Sequence, residues 1–176
     1  MKSFRLQYLM ILAALFSGGC WFSRAEVMKV SEYAPELSTQ VQEISRLQSG
    51  SVINLSGVGK NFLIRRNNGE LVSDESRRWF IPPEQMLKNA MYVRFTGGSS
   101  APRVNAAVLK FEFDENCHQL HAAVRFQYQC GNGRENTLII SGSSPVKDGN
   151  YGKCAGVLIG KMLDGFYKQP ERSVSR

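Results

Sequence analysis

The sequence is poor in groups that do chemistry. It has two histidines, His118 and His121, and four cysteines in 176 residues. It contains no G-x-S-x-G nucleophile turn and no phosphate-binding glycine loop. It has no C-x-x-C pair and no Cys/His spacing of a zinc module. Residues three apart on a strand point to opposite faces, so the two histidines are not expected to share a metal ion. Asp114, Cys117 and His118 supply a carboxylate, a thiol and a base. Neighbours on a strand diverge, however, and a turn cysteine of an exported chain is more often oxidised than catalytic. These gaps exclude the common hydrolase, nucleotide-binding and zinc-finger classes. The expectation is a non-enzyme with no cofactor and no metal.

A basic run is missing too. The formal net charge is +7, yet Arg65-Arg66, Arg77-Arg78, Arg94, Arg103, Arg125 and Arg134 are dispersed. A nucleic-acid reader would show a basic stripe on a recognisable module, so no nucleic acid is expected as a partner. Two readings of the charge stay open: attraction to anionic lipid or an acidic partner, and a solvated basic surface.

Also lacking is an apolar run of about 20 residues, the length that spans a bilayer. The nearest approach is residues 6–16, apolar except for Gln7. Lys2 and Arg5 precede this run, and Ser17-Gly18-Gly19 leads from it to Cys20. Charge, short apolar core and small residues are the layout of a secretory signal. An ordinary secreted chain or an uncleaved anchor would share that layout. Ending on a cysteine resembles a bacterial lipobox, in which Cys20 is acylated and becomes the new N-terminus. Several acyl chains, at about 0.8 kcal/mol per buried CH₂, make a lasting anchor. Trp21 follows the cysteine where an Asp would signal inner-membrane retention, so the expected address is the periplasmic face of the outer membrane. Losing residues 1–19 with Lys2 and Arg5 takes the charge from +7 to +5 and leaves 157 residues, one ordinary domain with a core of its own.

Along the chain, a first strand is expected near Val27 to Val30. Residues 36–48 suit either a short amphipathic helix, through Leu37, Val41, Ile44 and Leu47, or an extended linker. A kinked strand follows over residues 51–58, and another over 62–66. Asn67-Asn68-Gly69 suggests a type I′ hairpin turn into a return strand at Leu71-Val72. Pro83 and Glu84 open a helix whose apolar face is Met86, Leu87, Ala90, Met91 and Phe95, ended by Gly97-Gly98. Trp79, just before it, reads as a plug between helix and sheet, with ligand stacking as the lesser alternative. Residues 104–141 form an antiparallel meander. Ala107, Leu109, Phe111 and Phe113 are assigned to its buried face, as are Leu120, Ala122, Val124, Phe126 and Tyr128. Pro145 ends it, and residues 150–168 form a last helix carrying Tyr151, Cys154, Leu158, Met162 and Phe166 inward. The charged Lys153, Lys161 and Asp164 argue against that helix spanning a membrane. The tail after Pro170 reads as disordered.

Beyond Cys20 the thiols are Cys117, Cys130 and Cys154. At about 3.3 Å per residue, a strand between Cys117 and Cys130 holds them about 40 Å apart. A disulfide needs Cα atoms within about 7 Å. Cys117 falls beside the exit of the third strand of the meander, near where the last helix begins, so Cys117–Cys154 is the expected bridge, leaving Cys130 a free thiol on the inner face.

With these parts in place the chain resembles the ABC-type transport auxiliary lipoproteins, the PqiC-like accessory components of MCE-domain lipid-transport systems. The residues that carry the resemblance are Leu63-Ile64-Arg65-Arg66, Leu71-Val72, Arg78-Trp79-Phe80-Ile81-Pro82-Pro83 with Met86-Leu87, and Val108-Leu109-Lys110-Phe111-Glu112-Phe113. It covers about residues 51–168, after a signal at 1–19 and a lipidated tether at 20–50. The resemblance implies an α+β fold, a largely antiparallel sheet with two helices packed on one face. It also implies a non-catalytic role at the outer membrane, with an MCE-domain protein and ABC transporter subunits as partners. A scaffold of this kind works through a sheet edge or a helix face that docks a partner or another copy of itself. Arg78 and Trp79 are the contact candidates, chiefly structural and secondarily for a partner. Two further classes stay open: an assembly lipoprotein of an outer-membrane machine, and a periplasmic lipid carrier. The carrier would need a cavity that Phe111, Phe113, Phe126 and Met162 are bulky enough to fill.

Overall fold

A run of apolar residues with one irregularity sets the architecture. Residues Arg103–Asp114 form the longest strand, and in the computed structural model every other part of the sheet is arranged about it. The structure describes residues 29–36, 43–129 and 133–168. In chain order the strands are β1 (Ser31–Tyr33), β2 (Gln48–Asn54), β3 (Asn61–Arg65), β4 (Leu71–Trp79), β5 (Arg103–Asp114), β6 (Gln119–Gln129) and β7 (Glu135–Pro145). The helices are α1 (Pro83–Arg94) and α2 (Tyr151–Lys168). The fold is α+β, a mixed and largely antiparallel sheet with two helices, as the sequence led one to expect.

The strand order is β1-β4-β3-β5-β6-β7, and β2 also pairs with β5. β5, β6 and β7 are the expected meander. The other side holds what periodicity does not reveal. β2 runs parallel to the first half of β5, and β3 runs parallel to its last two residues, so the two share one edge of β5. The gap between them is an Asx turn. Asn54 Oδ1 accepts from the Ser56 amide, Gly57 takes φ +73°, and Val58 drops into the core. That turn is the expected kink.

Within β5 the alternation changes phase. Val108 pairs with Val124 and Lys110 with Ala123, so Leu109 is the extra residue of a β-bulge. Before the bulge Val104, Ala106 and Val108 face the core, and after it Phe111 and Phe113 do. The assignment of Leu109 to the buried face is thereby corrected, and Ala107, though buried at 2% exposure, lies outside the core cluster that its neighbours Ala106 and Val108 join. An unbroken period of two carried the phase of the phenylalanines backwards across a bulge that resets it.

Several boundaries also differ. The first described strand is Ser31–Tyr33, its pairing fixed by Arg77, Arg78 and Trp79 opposite; of the expected residues 27–30, Lys29 and Val30 are not in a strand, and residues 27–28 lie outside the described part. Residues 43–48 bridge to the end of α1 through Ile44 and Phe95, and residues 37–42 lie outside the described part. The β3–β4 hairpin has a three-residue loop. The Gly69 amide donates to Arg66 O, the Arg66 amide to Glu70 O, and Gly69 alone has positive φ. That is a type I turn followed by a left-handed glycine rather than type I′. α1 starts at Pro83 with Met86, Leu87, Ala90 and Met91 buried, as expected, but it ends at an extended Phe95. Gly97 serves a different purpose: a Cβ there would stand 2.6 Å from Leu47 O. α2 begins after Asn150, whose Oδ1 accepts from the Lys153 amide as a cap. Its buried stripe of Cys154, Leu158, Met162 and Phe166 matches the expectation. Among the described residues no helix is long and apolar enough to cross a membrane.

Candidate functional site: the β1–β4 junction

A short edge strand with no apolar alternation can stay on a sheet only if something at its ends holds it. β1 is held by a packed set of rings. Tyr33 lies 5.8 Å from Phe62, 6.3 Å from Trp79 and 4.9 Å from Tyr151, and Phe62 stacks on Trp79 at 5.0 Å. Trp79 meets Phe111 edge-on at 5.2 Å, and Phe113 meets Tyr151 likewise at 5.3 Å. Rings from β1, β3, β4, β5 and α2 thus close one end of the core. The Phe80 amide donates to Tyr33 O, and the Glu36 amide to Gly152 O. Gly152 is required here, since a Cβ would stand 2.0 Å from Ala34 O.

β4 supplies the one cation of this cluster through an irregularity. Asn61 pairs with Arg78 but Phe62 pairs with Asp74, so residues 75–77 bulge out of the ladder. Asp74 Oδ1 accepts from the Ser76 amide and hydroxyl, and Asp74 Oδ2 from Arg77 Nε. The bulge turns Arg77 over the Phe62 ring at 4.9 Å and the Tyr151 ring at 5.6 Å, while its Nη1 donates to the Tyr151 hydroxyl. Burial alone would raise the Asp74 carboxyl, but the Ser76 and Arg77 hydrogen bonds outweigh it and hold the group below its usual range.

The two expected contact residues separate. Trp79 is 1% exposed, a core residue with no surface to offer, and its Nε1 has no hydrogen-bond partner. Arg78 is exposed, opposite Glu32 of β1. Sequence reasoning missed Arg77. Its only signal is the paired arginine, because a bulge and not the alternation decides which of the two turns inward. Cys20 and Cys130 lie outside the described residues.

The expected Cys117–Cys154 bridge is corrected: both thiols are free. The two regions do adjoin, since the Val146 amide donates to His118 O. The side chains take different directions. Cys154 is buried in the first turn of α2 with Sγ on Pro145 O at 3.1 Å, and Cys117 is exposed on the β5–β6 turn.

On the opposite, wet face of the sheet, Glu112 is buried between Arg65 and Lys110, with Arg65 Nε at 2.6 Å and Lys110 Nζ at 2.8 Å. Burial would raise its carboxyl, and the Arg65 and Lys110 hydrogen bonds hold it low instead. Two residues on, the Asn116 and Cys117 amides hold Asp114 below the usual carboxylate range. The one group of described side chains that could hold a metal ion is here: Asp114, Cys117 and His121. His118 stays out of it, in a left-handed conformation at φ 50°.

No family model and no curated protein matches the chain. Solved structures are similar to it in fold, two of which follow. One, described as an uncharacterized protein, is 14% identical, with a TM-score of 0.61 over 84% of this chain and 99% of its own. The other, from Xanthomonas campestris and assigned to the family model DUF330, is 13% identical, with a TM-score of 0.56 over 83% of this chain and 100% of its own. At such identities the likeness is one of architecture: a whole domain of this size recurs with the same arrangement of strands and helices.

Proposed function

We propose that the chain is a non-catalytic accessory lipoprotein of an ABC/MCE-type lipid-transport system. It is anchored through acylated Cys20 at the periplasmic face of the outer membrane and serves as a docking component. The observation that carries this reading is the opposition of the two sheet edges. β1 closes one edge, and only nine positions separate Cys20 from Lys29, where the described chain begins. Fully extended, those positions reach about 30 Å, so the β1–β4 junction stays close to the anchoring membrane. At the other end of the strand order is β7, an 11-residue strand with one strand neighbour and with Ile139 58% exposed. An edge of that length is suited to receiving a partner strand, and it lies at the opposite end of the strand order from β1. Packing supports docking over carriage: Phe111, Phe113, Phe126 and Met162 are all within 5% of full burial, so they fill the space a carrier would leave open.

The test is capture of the full chain from gently solubilised membranes, with mass spectrometry of what accompanies it. The expected result is an acylated Cys20 and co-purified MCE-domain and ABC subunits, with capture falling at least tenfold in Ile139→Lys. A barrel protein alone would replace this reading with the assembly lipoprotein, and bound lipid without protein with the carrier. Recovery without acylation at Cys20 would remove the anchor.

A further inference from the structure

The β5–β6 turn brings together three donors that the sequence spaces at positions 114, 117 and 121. Asp114 and His121 lie on the wet face of adjacent strands, where Asp114 pairs with Gln119 and Glu112 with His121, so the two are diagonal neighbours. Cys117 is not on a strand. It sits in the turn, which folds its side chain back until Sγ is 3.6 Å from His121 Nε2. One ligand atom from each of the three lies within 4.8 Å of the other two. The expectation of no metal site weighed the two histidines as a pair on one strand; the turn at residues 115–118 takes His118 off the strand and brings Cys117 to His121 instead.

We propose that Asp114, Cys117 and His121 form a binding site for a zinc-type divalent cation. Geometry is the first argument. With Zn–S of about 2.3 Å and Zn–N of about 2.0–2.1 Å at a tetrahedral angle, sulfur and nitrogen ligands stand about 3.5 Å apart. The Cys117–His121 separation is 3.6 Å. Donor chemistry is the second. One thiolate, one imidazole and one carboxylate suit a borderline-soft ion, whereas calcium and magnesium take all-oxygen sets. Preorganisation is the third. The Glu115 amide donates to Arg65 O, the Val146 amide to His118 O, and the Asn116 amide to Asp114 Oδ1 at 2.8 Å. The turn is thereby fixed to β3, to the segment leading into α2 and to its own first residue, and little rearrangement is needed to bind. Glu112, the nearest further carboxylate along β5, is engaged by Arg65 and Lys110. The protein therefore supplies three ligands and leaves the fourth position to water or an external donor, as in open zinc sites.

The site is tested on the reduced full chain in mild detergent, titrated with cobalt(II) as the spectroscopic probe. The expected result is one cobalt per chain with a sulfur-to-metal charge-transfer band that zinc displaces. Cys117→Ser should abolish the band, and His121→Ala and Asp114→Asn should weaken apparent binding at least tenfold. His118→Ala, Cys130→Ser and Cys154→Ser should keep it. No sulfur-to-cobalt band in the unaltered chain, or a band that survives Cys117→Ser, would overturn the proposal. A readout without variants guards against misfolding: one equivalent of zinc must raise the Tm of the unaltered chain, and an unmoved Tm counts against the site.

Discussion

From β5 to β7 each strand pairs with the one that follows it, whereas β1, β2 and β3 each take a parallel neighbour far along the chain. The first arrangement closes short loops, so alternation and turn chemistry suffice to register it. The second must close long loops before any contact forms, and alternation does not choose among parallel registers. Specific side chains do that work instead. Asn54 holds the end of β2 through the Ser56 amide and Glu84, Arg77 ties β4 to Tyr151, and Trp79 seats β4 on Phe62 and Phe111. The same sheet is thus pattern-held on one side and anchor-held on the other. The anchored side is the one that meets the N-terminal segment.

Removing the anchor with the largest buried surface should show the contrast most strongly. Trp79→Ala deletes a 1%-exposed indole from the ring cluster and should destabilise the chain by about 3–5 kcal/mol. Hydrogen exchange should then lose protection first in β1, β3 and β4 while β6 and β7 keep theirs. Equal loss across all strands would mean that the two sides form one cooperative unit and would break the comparison. Trp79→Phe sharpens it. That change removes an indole N–H that lacks a hydrogen-bond partner and should cost much less than alanine.

A smaller change separates β1 from the rest. In Gly152→Ala the new methyl meets the Ala34 carbonyl, backbone that cannot swing aside as a side-chain end can. The expected loss is about 1–3 kcal/mol, confined to release of residues 31–36 from α2. Limited proteolysis near Ala34 should accelerate while the α2 amides stay protected. An unchanged cleavage rate would show that the contact does not hold the strand.

How much of this was legible beforehand follows the same division. The meander, Pro83 at the start of α1 and the buried stripe of α2 could be read because each repeats a period along one contiguous stretch. β1 could not, since its three residues carry no period and are placed by Trp79 far downstream. The phase change at Leu109 and the inward turn of Arg77 were hidden for one reason: a bulge breaks the period that the reading relies on. The site residues fared likewise. Trp79 is recognisable as structural from its type and place, but the meeting of Asp114, Cys117 and His121 depends on a turn whose ends the alternation alone does not mark.

The smallest effect probes the wet face, where the two sides of the sheet share Glu112. Arg65 comes from β3 and Lys110 from β5, and their hydrogen bonds outweigh burial to keep Glu112 ionised below its usual range. A carboxyl whose folded-state value is depressed stabilises the fold at pH above its unfolded value. That contribution is lost as pH falls through the folded value. Glu112→Gln should therefore lower stability near neutral pH by about 1 kcal/mol. The difference from the unaltered chain should shrink as the medium is acidified towards about pH 3, where carboxylates take up protons. Asp74, depressed in the same direction on the anchored side, leaves the variant a residual acid slope. Urea midpoints measured across that range should converge. Parallel curves would mean that the Glu112 charge contributes nothing across the seam, and that backbone pairing and packing join β3 to β5 without it.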